Sequence, residues 1–334
     1  MRTVFFLTLL SFFLATSCEG SVVDEYRDIA QFPRLAKEHY VDFDVSMKTN
    51  EHQNIAQKHI SKSMLSAFRR FYNLHNLQTI VPSSELKIPK QFHYIWFGIK
   101  LPDEYLPFLQ SWLDMHPDWT FLFWVDNPEN YDFGYLLEDA DFATIQELLA
   151  QPESQGGRFV VDVKNLKFSN RIFFDVTKNY GKRSDILRWE VLYRFGGTYI
   201  DVDFECFKPF DLFHYTCDFY TGIQPLDTKF VQFGSGLVGA APHHPILKKC
   251  VNTIARDSRH AQIVASTGPL HFMKSFFSVA TRTGLTDIVF PASYFYPCGY
   301  LQAGRSWKEW KQPESFAIHH WAGSWLKEEG WDRD

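Results

Sequence analysis

The chain of 334 residues is poor in several things, and each shortage excludes something. No Asn-x-Ser/Thr sequon occurs, so no N-linked glycan marks a eukaryotic lumen. The spacing of the few cysteines, five in all, gives no metal-ligand pattern. Apart from Cys18, four remain: Cys206, Cys217, Cys250 and Cys298. They can form two disulfides in an oxidising lumen or stay as buried thiols. Positive charge is not in excess. Lys and Arg number 34 against 39 Asp and Glu, a formal net charge of -5, which removes the electrostatic case for nucleic acid. After residue 20 no apolar run approaches the ~20 residues that cross a bilayer.

Apolar and aromatic side chains are plentiful. Hydrophobic residues make up 45 % and aromatics 17 %, with 33 Phe and 10 Trp, enough for a large core and too many for a disordered chain. The length suits one large domain with an accessory part, or two small domains. Residues 1–20 stand apart: Arg2, an apolar run from Val4 to Ala15, then Ala15, Thr16 and Ser17. That order reads as a signal peptide, with a short signal-anchor as the alternative, since the run is short for a bilayer span. Ser17-Cys18 also resembles, weakly, a bacterial lipidation site. Residues 21–87 are polar and helix-leaning, with a helical period from Ile55 to Tyr72, and read as a stem or lead-in. The Pro82-Ser83-Ser84 break separates them from residues 88–334.

From Ile88 the pattern alternates. Phe92 to Phe97 reads as a strand, Asp103 to Met115 as a helix, Thr120 to Val125 as a strand and Leu136 to Ala150 as a helix. Strands alternating with helices predict an α/β fold with parallel strands, whose ligands sit beyond the carboxyl ends. Trp96, Asp126 and the pair Asp201/Asp203 all fall at such ends. The densest stretch is 181–205. Ser184 is a candidate N-cap, Leu187, Val191 and Phe195 form a buried stripe, and Gly196 ends the helix. Asp185 and Arg188, three apart, project from one side of it. Thr198-Tyr199-Ile200 is a strand running out at Asp201-Val202-Asp203. Two carboxylates two apart in extended chain point the same way and repel unless neutralised, so they predict a hard divalent cation. Further strands are expected at Phe219–Ile223 and Gly234–Gly239, helices at Pro245–Ala255 and after Thr267-Gly268-Pro269, and loop over 290–313.

Taken together these residues resemble the sugar-transferase family that carries an Asp-x-Asp sugar-binding motif, which includes yeast mannosyltransferases and bacterial capsule enzymes. The likeness runs through Ile88–Gly98, Ser111-Trp112, His116-Pro117-Asp118-Trp119 and Phe123-Trp124-Val125-Asp126. It is strongest at Ser184–Arg188 with Gly196–Asp203, and closes with His319-His320-Trp321-Ala322-Gly323-Ser324-Trp325. It spans roughly residues 88–326 and says nothing of 21–87. The resemblance implies a GT-A fold, a Mn²⁺ (or Mg²⁺) cofactor, a nucleotide-sugar donor such as GDP-mannose or a UDP-hexose, and retaining transfer to a glycan, glycolipid or protein acceptor. It implies that Asp201 and Asp203 bind the metal with a terminal histidine, His320 being favoured over His319. Asp185 and Arg188 would grip the sugar, Trp96 would stack on the base, and Asp126 and Tyr199 would hold the donor. Ser324 and Trp325 would close over the diphosphate. Plainer readings exist for each: a helix ion pair for Asp185/Arg188, core packing for Trp96, a strand end for Asp126. One departure stands out, because Gly234-Ser235-Gly236 occupies the place where many such enzymes carry an Asn. Two other functions are weighed: a non-catalytic nucleotide-sugar or glycan-binding protein, and a phosphohydrolase using Asp201 as nucleophile, which Glu205 disfavours. The N-terminal run with a donor of this kind implies a secretory-route lumen or secretion, with membrane association through the N-terminus as the alternative.

Overall fold

The computed structural model describes residues 23–47, 62–128, 141–142, 156–226, 231–260, 262–302 and 306–323. The lead-in forms helices α1 (Phe32–Glu38), α2 (Phe43–Ser46) and α3 (Lys62–Leu74). Strand β1 (Gln91–Trp96), helix α4 (Leu106–Met115) and strand β2 (Thr120–Val125) follow where the sequence pattern places them. Next come β3 (Asp141–Phe142), β4 (Gly157–Asp162), α5 (Arg171–Val176) and α6 (Tyr180–Phe195). The expected helix Leu136–Ala150 lies outside the described residues, except that Asp141 and Phe142 form a short edge strand beside β4.

The second half carries β5 (Gly197–Ile200), β6 (Phe204–Cys206), α7 (Asp211–Thr216), β7 (Phe219–Ile223) and β8 (Phe233–Ala240). It continues with α8 (Pro245–Asp257), α9 (Ile263–Ser266), α10 (Pro269–Val279), β9 (Asp287–Phe290) and β10 (Ala317–His319). Eight strands form one sheet in the order β3-β4-β2-β1-β5-β8-β7-β9, and β6 pairs with β10 in a small antiparallel ribbon. β4, β2, β1 and β5 run parallel, while β8 is antiparallel to both β5 and β7. This is the α/β, GT-A-type arrangement that the sequence predicts. From β1 the chain first goes one way in the sheet, to β2, and later the other, to β5. That reversal makes a crevice at the carboxyl ends of these strands.

The aromatic excess is core. Trp112, Trp119, Trp124 and Trp189 are all fully buried in one cluster with Phe92, Phe121, Phe213 and Phe295. Tyr26, Phe32, Phe43, Phe68 and Tyr72 of the lead-in belong to that same cluster. Residues 23–47 and 62–80 therefore pack against the domain instead of standing off as a stem. Polar ties reinforce the packing. Ser46 Oγ lies 2.5 Å from Ser293 Oγ, and the Tyr72 hydroxyl bonds both Val41 O (2.8 Å) and Tyr294 Oη (3.0 Å). Cys206, Cys217, Cys250 and Cys298 are buried free thiols, so neither disulfide expectation is realised among them. No helix among the described residues is long and apolar enough to cross a membrane.

Candidate functional site

The site is built at the ends of β1, β2, β5 and the β6–β10 ribbon. Helix α6 sets one wall. It begins at Tyr180, not at Ser184, because the Asn179 side chain caps it by accepting from Lys182 N (2.9 Å). Asp185 therefore lies in the second turn and Arg188 at the start of the third, and Ser184 Oγ instead sits 3.3 Å from the Tyr199 hydroxyl. The helix ends as expected at Gly196 (φ 67), and Gly197 (φ 86) follows in the same left-handed region. A Cβ at Gly197 would lie 2.5 Å from Gln91 Cγ and 2.6 Å from Gln91 O, so only glycine lets β5 lie this close to β1.

That close approach brings four polar side chains together under α6. Arg188 is 4 % exposed. Its guanidinium lies 3.1 Å from Asp185 Oδ1 and 3.2 Å from Asp201 Oδ1, and donates to Ser235 O (2.7 Å) and to the Tyr199 hydroxyl (3.1 Å). It also rests 4.1 Å from the Tyr199 ring centre. The Tyr199 hydroxyl donates to Asp201 Oδ1 at 2.6 Å. Burial works against the Arg188 charge, but Tyr199, Asp201 and Asp185 outweigh it and hold the guanidinium firmly protonated. Burial pushes the Asp185 carboxyl up to about 6 despite Arg188, and Thr267 Oγ1 donates to its other oxygen at 3.0 Å. The arrangement makes Arg188 a brace for Asp185, Tyr199 and Asp201.

Asp203 lies opposite. Its Oδ1 is 3.0 Å from His319 Nε2, its Oδ2 accepts from Ala322 N (2.8 Å), and its carbonyl accepts from His320 N (2.9 Å). Burial alone would push the carboxyl up, but the His319 ring and the backbone donors hold it below its ordinary range. Ligand atoms of Asp201, Asp203 and His319 all lie within 4.8 Å of one another. His320 faces elsewhere. Its Nε2 is 3.0 Å from Glu205 Oε2 and its ring stacks on Phe108 at 4.1 Å and 9°. Among the described residues it is thus His319, and not the favoured His320, that faces the Asp201/Asp203 pair. On the β6–β10 ribbon neighbouring side chains alternate faces, and register pairs His319 with Phe204 beside Asp203. Two carboxylates and one imidazole with a buried, unpartnered Nδ1 suit a divalent ion that accepts both oxygen and nitrogen.

The remaining predicted residues are spread along the crevice. Trp96 closes β1 with its Nε1 donating to Ile99 O (2.7 Å) and its ring against Tyr105. Asp126, just past β2, accepts from Gly98 N (3.1 Å) and faces Arg183 at 3.5 Å. A cavity of about 680 Å³ opens there, lined by Asp126, Asp162, Lys164, Arg171, Phe174 and Arg183. Ser324 and Trp325 lie outside the described residues. Sequence reasoning missed Thr267, Arg183 and the Ser235 carbonyl as partners of this site. Only the turn signal at Thr267-Gly268-Pro269 hinted at one of them.

At the end of a central parallel strand, the carboxylate pair Asp201/Asp203 is braced by the buried Asp185–Arg188 pair and faced by His319. Residues 102–218 match the family described as "Glycosyltransferase sugar-binding region containing DXD motif", the family to which the sequence was likened. Inositol phosphoceramide mannosyltransferase 2 of Schizosaccharomyces pombe is 25 % identical over 193 residues, covering 56 % of this chain and 46 % of that protein. Mannosyl phosphorylinositol ceramide synthase SUR1 of Saccharomyces cerevisiae is 24 % identical over 248 residues, 70 % of this chain and 55 % of that one. The chain thus spans about half the length of the curated relatives it matches. Among solved structures, the PaToxG glycosyltransferase aligns with TM-score 0.44 and 19 % identity over 68 % of this chain and 79 % of that one.

Proposed function

We propose that the protein is a metal-dependent retaining glycosyltransferase that moves a hexose from a nucleotide sugar to a hydroxyl of a glycan, lipid or protein. The observation that carries this is the convergence of Asp201, Asp203 and His319 ligand atoms within 4.8 Å, beside the buried Asp185–Arg188 pair, whose guanidinium lies 3.2 Å from Asp201. Asp201, Asp203 and His319 would hold Mn²⁺ or Mg²⁺, which when bound neutralises charge on a leaving diphosphate. Asp185 accepts hydrogen bonds from sugar hydroxyls, and Arg188 fixes its orientation through the 3.1 Å pair. Arg188 and the Tyr199 hydroxyl also hold Asp201 in place. The cavity beside Asp126 and Arg183 would take the nucleoside, and Trp96, which ends β1, would by resemblance stack on the base. By resemblance Ser324 and Trp325 cover the diphosphate and exclude water. No side chain stands out as a base for the acceptor, and retaining transfer in which the leaving phosphate takes the acceptor proton needs none. Residues 1–20, read as a signal, direct the enzyme to a lumen holding nucleotide sugars or out of the cell.

The full chain, purified and metal-stripped, should hydrolyse one of GDP-mannose, UDP-galactose, UDP-glucose or UDP-GlcNAc when Mn²⁺ is restored, detected by mass spectrometry of the released sugar. No turnover of any donor with Mn²⁺ or Mg²⁺, combined with tight donor binding by calorimetry, would instead identify a non-catalytic binding protein.

A further inference from the structure

Tyr296 is 1 % exposed, and its hydroxyl has no hydrogen-bond partner among the described residues. Other buried phenols near it are satisfied: Tyr199 on Asp201, Tyr220 on Thr198, Tyr294 on His39 O. A buried hydroxyl left unpaired calls for an explanation. Tyr94 shares the feature, but its ring stacks on Phe121 and Phe123, and the group that acts on its hydroxyl is the Cys206 thiol, away from the carboxylate pair. Tyr296 differs in what it faces. Its ring lies 5.3 Å from Phe204 and 5.7 Å from His319, and the charges of Asp201, Arg188 and Asp203 act on its hydroxyl. The backbone at Leu237 also acts on the hydroxyl, but without the geometry of a hydrogen bond.

The glycines of β8 explain how it came to lie there. A Cβ at Gly234 would sit 1.9 Å from the Tyr296 hydroxyl, and a Cβ at Gly236 would sit 2.4 Å from Asp201 Oδ2. Gly234 and Gly236 lie two apart in the stretch of β8 between Phe233 and Val238 where the register on β7 shifts, so the phenol and the carboxylate occupy neighbouring notches of one strand. Asp201 Oδ1 is already taken by Tyr199 and Arg188, while Oδ2 is the oxygen turned toward the glycine notch. The Gly-Ser-Gly departure noted in the sequence is thus a cradle for two polar groups of which one has no partner. Resting on the transfer reading above, we propose that Tyr296 is a positioning residue for Asp201: its hydroxyl donates to the Oδ2 side, directly or through one water, once the metal site is filled.

The test compares wild type, Tyr296→Phe and the control Tyr94→Phe. Each substitution deletes only an unpaired buried hydroxyl, so neither should lower the thermal midpoint of the metal-free protein. Calorimetric titration with MnCl₂ alone should then show Tyr296→Phe binding about tenfold or more weaker, in the range for lost partners of metal ligands, and Tyr94→Phe unchanged. With the donor that wild type uses, kcat should fall for Tyr296→Phe and hold for Tyr94→Phe. Wild-type Mn²⁺ affinity in Tyr296→Phe would overturn the inference, as would a midpoint drop matched to the affinity loss, which marks a purely structural phenol. Wild type that binds no Mn²⁺ would sink the transfer reading itself, and this inference with it.

Discussion

Arg188 offers the sharpest test of how the site is held together. Arg188→Leu keeps the volume and helix preference but leaves Asp185 and Asp201 with no cation between them. The guanidinium side chain is 5 % exposed, and it faces Asp185 at 3.1 Å and Asp201 at 3.2 Å. The Ser235 carbonyl at 2.7 Å and the Tyr199 hydroxyl at 3.1 Å lose a donor in the same step. Removing one partner of a buried pair costs about 3–5 kcal/mol, because the other charge stays behind in a poor solvent. At roughly 2 °C per kcal/mol for a domain of this size, the midpoint should drop by about 6–10 °C. Arg188→Leu with Asp185→Asn should recover part of that loss, since the stranded carboxylate is neutralised, and Asp185 is the more deeply buried of the two acids. The measurement is a double-mutant cycle in urea. A single-variant cost below about 1 kcal/mol, the range of surface pairs, would refute the idea that this brace is buried and essential.

Two further outcomes follow from the geometry. His319→Ala should lose Mn²⁺ binding in calorimetry while His320→Ala keeps it, because only His319 reaches the Asp201/Asp203 pair; the reverse pattern would overturn the ligand assignment. Acid should destabilise the fold through two neutral core histidines. Burial pushes His93 down to about 4 and His116 down to about 3. In each, one ring nitrogen faces a carbonyl (Gly196 O or Trp112 O) and the other accepts an N–H from Trp124 or Phe210. The unfolded chain takes up these protons near pH 6.5 and the folded chain does not, so stability is full above that value and falls as pH drops toward 4. From pH 7 to pH 5 each should cost about 2 kcal/mol by linkage, read as a shift in urea midpoint. His93→Gln would flatten the dependence.

What was legible in the sequence was whatever depends on near neighbours. β1, β2 and β5 announced themselves as β-forming runs closed by glycine or by Asp, and the Asp201/Asp203 pair follows directly from β5. The start of α6 was misplaced because Asn179 and Ser184 both suit a cap, and the true helix runs through Gly181. β4 went unread, since Gly157–Asp162 has no period of its own and becomes a strand by pairing with β2. The choice between His319 and His320 was not local at all. It is set by the register of β10 on β6, which joins Ala317 to Cys206 and His319 to Phe204, far apart in the chain. Thr267 and Tyr296 reach the site only through tertiary packing, so no spacing in the chain could have found them. The lead-in helices were visible by their period, but an amphipathic face does not name its partner.

That lead-in also sets the order in which the molecule can be completed. Ser46 meets Ser293 and Val41 meets Tyr294 across 247 and 253 positions. A chain emerging from the ribosome would therefore expose Tyr72 until Phe290 and Tyr294 arrive to cover it, while Phe32 waits for Tyr215. Synthesis of this protein has a long interval in which its first folded helices are unclosed, and a chaperone that shields apolar helices would act on that interval. A fragment begun at residue 88 would face the converse problem, with the floor under Tyr294 and Phe290 left bare.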